Sequence, residues 1–187
     1  MALISESSHN IAPYRDLNWP HRCGGTVGIF VFGYLYVFAR QFAEKSTLVG
    51  TGGDAFWADF SAQKDEERGR AVNILLHSLS ELPPGATLAT LPEGAMINYL
   101  SRRENPTPYI NLMPPEVIMF GEDRIVASLA AHPPDYIVLV PSDPSDYGYR
   151  NFAIDYGKEI FQWIKANYQI EPTPTVAKFP MVLLKHK

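Results

Sequence analysis

Thr87-Leu88-Ala89-Thr90-Leu91-Pro92-Glu93-Gly94-Ala95-Met96-Ile97-Asn98-Tyr99-Leu100-Ser101-Arg102-Arg103-Glu104-Asn105-Pro106-Thr107-Pro108 decides the fold. An apolar run, Thr87 to Leu91, enters a Pro-Glu-Gly turn. A short helical pattern follows over 95–102, where Met96, Tyr99 and Leu100 can share a face. Asn105-Pro106-Thr107-Pro108 then makes a stiff loop. The pattern predicts a buried strand, a sharp exit turn, a helix and a rigid connection. In open α/β sheets, ligands favour the loops at the carboxyl ends of strands. This stretch is therefore also where a site is sought, although no complete catalytic motif occurs in it or elsewhere.

Tyr136 to Val140 is an unbroken apolar run of the fully buried kind, which favours a parallel sheet. Between the two runs, Pro114-Pro115-Glu116 starts a turn and Ile125, Val126 and Leu129 recur at helical spacing over 123–131 before Pro133-Pro134. The segment thus reads as a βαβ unit. Its second strand leaves through Pro141-Ser142-Asp143-Pro144-Ser145-Asp146-Tyr147-Gly148-Tyr149-Arg150. In a right-handed parallel unit that loop lies on the same edge as the 92–94 turn.

Working outward, residues 65–82 form the clearest helix. Asp65, Glu66 and Glu67 suit its first turn, and Val72, Leu75, Leu76 and Leu79 form its stripe. Ile160, Phe161 and Ile164 mark a helix over 154–168, and 181–184 a last strand. Lys45 to Gly50 reads as a strand end, and Gly50-Thr51-Gly52-Gly53-Asp54 is a flexible turn after it; its spacing matches no phosphate-binding loop. Val27 to Phe32 and Tyr34 to Arg40 have β-like composition, as a hairpin through Gly33 or one bent strand. The uncharged run 24–39 is shorter than the ~20 residues of a membrane helix, so strands are expected there. Residues 1–22 lack any period and the basic-then-apolar pattern of a secretory signal, and read as an irregular arm. The expectation is one α/β domain over 23–187: a two- or three-layer, Rossmann-like sheet with a mostly parallel centre and extra N-terminal strands.

Composition narrows function mainly by exclusion. The formal net charge of -4 lacks the basic field that nucleic acid requires. Cys23 is the only cysteine, so no intrachain disulfide forms. The scattered histidines do not make a zinc site, and Asp143, Asp146 and Asp155 lack calcium-loop spacing. No serine sits in a nucleophile elbow. No metal or cofactor is expected.

The remaining candidates each carry two readings. Glu93, at the strand exit, and Glu116 can pair as acid and base in sugar chemistry, while Glu93 can equally cap the helix at Ala95. Arg102 and Arg103 can grip a phosphate or carboxylate, or complement a helix C-terminus. Asn98 and Asn105 can bind a hydroxylated ligand; Asn105 before Pro106 is also a turn-former. Asp146 and Tyr147 belong to the second loop of the expected edge. Tyr147, Tyr149, Tyr156, Trp163 and Trp57 make a sugar-stacking platform or ordinary packing.

A resemblance bears on these readings. Leu91 to Leu100, Arg102 to Pro108, and Met113-Pro114-Pro115-Glu116 resemble the C-terminal soluble region of bacterial membrane glycosyltransferases related to dolichyl-phosphate-mannose protein mannosyltransferases. Pro134 to Val140, Asp146-Tyr147-Gly148, Asp155-Tyr156-Gly157 and Val49 to Phe56 fit the same picture, over roughly residues 45–170. In that family a many-spanning membrane part carries the acidic catalytic residues and transfers sugar from a polyprenyl-phosphate carrier. No multi-span region is present here, so no catalytic residue carries over. The resemblance implies a non-catalytic, extracytoplasmic (periplasmic) accessory domain. Its partners would be the membrane-embedded part and a glycan or lipid-linked sugar. Two other readings stand beside it: a small enzyme or binding protein for a phosphorylated or sugar-like ligand, and a structural interaction module.

Overall fold

Residues 19–43, 45–59 and 66–187 are described by the computed structural model. The irregular arm expected over 1–22 lies mostly outside them, as does Asp65. The chain divides into two units, Met1–Phe42 and Ala43–Lys187.

In the first unit the expected strands are replaced by one helix, α1 (Trp19–Ala43). Four-residue spacing accounts for the difference. Tyr34, Phe38 and Phe42 recur at i, i+4 and stack successively, with centroids 6.3 and 6.1 Å apart. β-branched and aromatic residues favour strands only where a pleated, half-buried surface receives them. Here every side chain from Gly25 to Ala43 is exposed.

The second unit is mixed α/β. It begins with an antiparallel hairpin, β1 (Lys45–Val49) and β2 (Phe56–Asp59), closed through the glycine turn. Helix α2 (Glu66–Ser80) packs against it. A Cβ on Gly69 would sit 3.1 Å from both Thr47 Cγ2 and Val49 Cγ2, so glycine inside the helix permits the close approach. Asn73 completes the join: its Nδ2 donates to the Leu48 carbonyl at 2.8 Å, and its Oδ1 accepts from Gly50 N–H at 3.0 Å.

After α2 come β3 (Leu88–Leu91), α3 (Ala95–Ser101), α4 (Pro114–Phe120), α5 (Glu122–Ala131), β4 (Tyr136–Leu139), α6 (Lys158–Asn167), β5 (Tyr168–Ile170) and β6 (Val182–His186). Their sheet has the order β3-β4-β6-β5. β3 and β4 are parallel, with Leu88 opposite Tyr136 and Leu91 opposite Leu139, as the βαβ reading requires. The sheet is not mostly parallel, however: β6 runs antiparallel to both β4 and β5. β5 follows α6 directly and returns through the 171–181 loop into β6, with no helix to carry the chain back to the other end of the sheet, so β5 and β6 run antiparallel.

Strand alternation divides the core into two layers. Leu88, Tyr136, Val138 and Leu183 join Val72, Leu75 and Leu79 of α2 and Ile97 of α3. Ala89, Leu91, Ile137 and Leu184 join Val117, Ile125, Leu129, Ile160 and Ile164 from α4, α5 and α6. Helices on both faces explain why the 136–140 run is apolar throughout.

Candidate functional site

The carboxyl ends of β3 and β4 are held side by side by the ladder, extended by Val140 N–H donating to the Leu91 carbonyl at 2.8 Å. The two exit loops are therefore neighbours. Glu93 from the first, and Ser142 and Asp143 from the second, line one open cleft of about 710 Å³. Its other wall comes from Arg68 of α2 and from Lys178 and Phe179 on the loop before β6. Arg68 lies over the Phe179 ring, 5.2 Å from its centroid, and Lys178 Nζ meets Glu67 at 3.4 Å. Lys178 N–H also donates to Glu67 Oε2 at 3.3 Å, so α2 fixes this wall.

Behind the second loop lies a polar group that periodicity did not reveal. Tyr156 is buried among the α4–α6 core residues, its hydroxyl 3.8 Å from Met113 Sδ. Burial pushes its phenol above the usual range, and the charges of Glu93 and Glu116 push the same way. A hydrogen bond from the Ser142 side chain to this phenol acts in the opposite sense. Glu116 Oε1 accepts from Asn111 Nδ2 at 3.1 Å, while Glu116 Oε2 and Asn111 Oδ1 are buried without a protein partner. Glu93 and Glu116, far apart in sequence, thus act on one phenol.

The other sequence candidates sit elsewhere or serve the scaffold. Asn98 Nδ2 donates to the carbonyls of Leu88 and Arg103 at 2.7 and 3.1 Å, and its Oδ1 accepts from Thr90 Oγ1 at 2.8 Å. Asn105 closes its own loop, accepting from Thr107 N–H at 3.0 Å and donating to the Tyr109 carbonyl at 2.9 Å. Arg102, at φ 56°, pairs with Asp54 and lies 4.5 Å from the Tyr99 centroid. Tyr99 Oη donates to Asp54 at 2.6 Å, tying α3 to the hairpin turn. Arg103 reaches the carbonyls that end α2. Asp146 and Tyr147 form an exposed 3-10 turn, Ser145–Tyr147, and do not line the cleft. Glu93 is exposed and makes no capping bond to α3, whose N-cap is Gly94.

Arg68, Lys178 and Phe179 are the neighbours that sequence reasoning missed; Ser142 was placed in the second exit loop and Tyr156 among the aromatics, but neither was placed beside Glu116. The Asp155-Tyr156-Gly157 run was visible, but only the fold turns its tyrosine towards Glu93 and Glu116.

Among the described residues no group of three or more His, Cys, Asp or Glu can hold a metal ion. Two further depressions lie away from this edge. One, about 530 Å³, runs along α2 past Arg70, His77 and Pro174. The other, about 480 Å³, is at the opposite end of the strands beside Pro83, Asp135 and His186. No family model matches the chain, and no curated protein or solved structure does either.

Proposed function

We propose that Ala43–Lys187 is a non-catalytic accessory domain, held at a membrane by α1, of a glycosyltransferase that uses a polyprenyl-phosphate-sugar donor. The observation that supports the membrane tether is Gly25–Ala43: 19 helical residues, apolar enough by length and composition to cross a bilayer, with none buried. A helix that is apolar on all sides needs a lipid or protein environment. At 1.5 Å per residue this one spans about 28 Å, close to the ~30 Å hydrocarbon thickness. The hairpin begins two residues after α1 and exposes Leu48 and Trp57, opposite one another in the ladder and 45% and 49% accessible. Tryptophan is a residue type enriched at membrane interfaces.

The resemblance of residues 45–170 to the soluble tail of membrane sugar transferases supplies the enzyme class and the extracytoplasmic side. The parallel β3–β4 pair, with helices on both faces and a cleft at its carboxyl edge, is the Rossmann-like part of this reading.

The test uses the full chain in membranes. The chain is expected to resist alkaline carbonate extraction, and Phe30→Lys together with Leu35→Lys is expected to release it. In proteoliposomes with a polyprenyl-phosphate hexose, the chain alone is expected to transfer no sugar. Complete extraction of the unmodified chain overturns the tether. Turnover that Glu93→Gln abolishes overturns the non-catalytic role and favours a small enzyme built on the cleft.

A further inference from the structure

We propose that the outer face of the β1–β2 hairpin, centred on Leu48 and Trp57, is a lipid-docking surface that seats in the headgroup layer of the bilayer crossed by α1. The inference rests on the membrane reading above, because α1 supplies the bilayer. It adds a second contact, made by the folded unit itself.

Strand alternation decides which side chains the hairpin leaves outside. Thr47 and Val49 of β1 and Ala58 of β2 crowd Gly69, so that face packs on α2. Leu48 and Trp57 are cross-strand partners and point the other way. Both remain about half exposed, and Phe56, at the rim of the packed face, is exposed as well. Two ties hold the hairpin in shape: Asn73 bonds to β1 from α2, and Asp54 is clasped by Tyr99 and Arg102 from the α3 end. A surface already ordered in this way loses little freedom on docking.

The charges suit a layer of phosphates. Asp54 is the only carboxylate from Lys45 to Ala58. It is engaged by Arg102, so the hairpin brings no uncompensated negative charge. Lys45, exposed at its start, brings an ammonium whose stem can lie along apolar groups while its head meets phosphate. A tryptophan with a basic flank is the composition favoured at a membrane interface.

Covalent geometry keeps the face beside that layer. Leu48 follows Ala43 by five residues, which span at most about 18 Å when fully extended. The headgroup layer outside the hydrocarbon is about 5–8 Å deep on each side. A protein is the poorer occupant, because two half-exposed side chains fall well short of the ~800 Å² per partner that a stable interface buries. A tethered bilayer needs no such area, since attachment makes the contact intramolecular.

Tryptophan fluorescence of the full chain in phosphatidylcholine proteoliposomes tests this. Subtracting the Trp57→Phe chain removes Trp19 and Trp163, so the difference belongs to Trp57. Acyl chains brominated near the headgroup are expected to quench about half of that difference, and soluble iodide little of it. Leu48→Asp is expected to cut the bromolipid quenching about threefold while the chain still resists carbonate and keeps its melting temperature.

No bromolipid quenching in a chain that resists carbonate overturns the docking face and leaves the tether standing. So does shielding from iodide alone, which assigns the face to a protein contact. Quenching that Leu48→Asp leaves unchanged also overturns it, since the outer face is then not what meets lipid. A chain that carbonate extracts completely, yet whose Trp57 is quenched at neutral pH, keeps the docking face and overturns the tether. The two readings are therefore separable.

Discussion

Arg103 binds Leu79 with two prongs: Nε and Nη2 donate to the Leu79 carbonyl at 3.1 and 2.6 Å. The same guanidinium also reaches the carbonyls of Leu82, Pro83 and Ala86 at 3.0, 3.0 and 3.1 Å. A residue just beyond α3 therefore closes the C-terminal end of α2, where unpaired carbonyls and the helix dipole both favour a cation.

Removing this cap has a defined expected effect. Arg103→Ala strips charged donors from three partly buried carbonyls and one exposed one and is expected to destabilise the second unit by about 3 kcal/mol. That corresponds to a melting point about 10 °C lower for a domain of this size. Arg103→Lys is expected to recover less than half, because an ammonium cannot reproduce the fork. Thermal unfolding of the full chain in detergent, followed by near-ultraviolet circular dichroism, checks both. A lysine variant as stable as the parent would show that charge alone suffices.

A second remote cap orients the segment that carries Tyr156. Glu122, at the start of α5, accepts from Gly157 N–H at 2.8 Å and from Glu159 N–H at 2.7 Å. It thereby places a carboxylate at the N-terminus of α6. Glu122→Ala is expected to cost about 2 kcal/mol, and Glu122→Gln about 1, since an amide keeps one acceptor but loses the charge. Urea unfolding midpoints at constant slope measure both; equal losses in the two variants would remove the charge from the account.

These two caps show where sequence reasoning reaches its limit. Strand, turn and helix over 87–102 were legible because a buried run, a breaker and a 3.6-residue period are local signals. Arg102 and Arg103 were legible as helix-end cations, but not that one of them serves a different helix, since that pairing spans 24 residues of folded chain. The neighbouring exit loops followed from parallel topology, whereas Tyr156 among the carboxylates did not. For α1, β composition outweighed the four-residue aromatic spacing, which is the signal that the helix follows. The antiparallel β6 was hidden likewise, because an apolar strand reads the same in either direction.

The turn that opens the cleft tolerates no side chain at its third residue. Gly94 has φ 146°, and a Cβ there would collide with Thr90 Cγ2. Gly94→Ala combines a disfavoured backbone with an overlap inside a packed corner, and is expected to cost about 3 kcal/mol. Gly94→Ala with Thr90→Ser removes the methyl group in the way and is expected to regain part of that loss. Chemical denaturation of the two variants separates the contributions: no recovery assigns the whole effect to φ.

Tyr168 gives the domain an alkaline limit. Its hydroxyl donates to the Pro134 carbonyl at 2.6 Å, and burial, helped by Asp135, raises its pKa well above the ordinary tyrosine range. The folded state therefore holds a proton that the unfolded chain releases near pH 10. Stability from this group is complete below about pH 10 and declines as pH rises further, because the folded state then binds more protons than the unfolded one. Tyr168→Phe loses the hydrogen bond and is expected to be about 1 kcal/mol less stable at pH 7. It also lacks the ionisable proton, so the gap between parent and variant is expected to narrow from pH 10 to pH 11. Urea unfolding of both chains across pH 7–11 measures that gap directly. The subtraction removes the titration of lysines and of Tyr156, which the two chains share. A gap that stays constant to pH 11 would mean that Tyr168 ionises alike in the folded and unfolded chains.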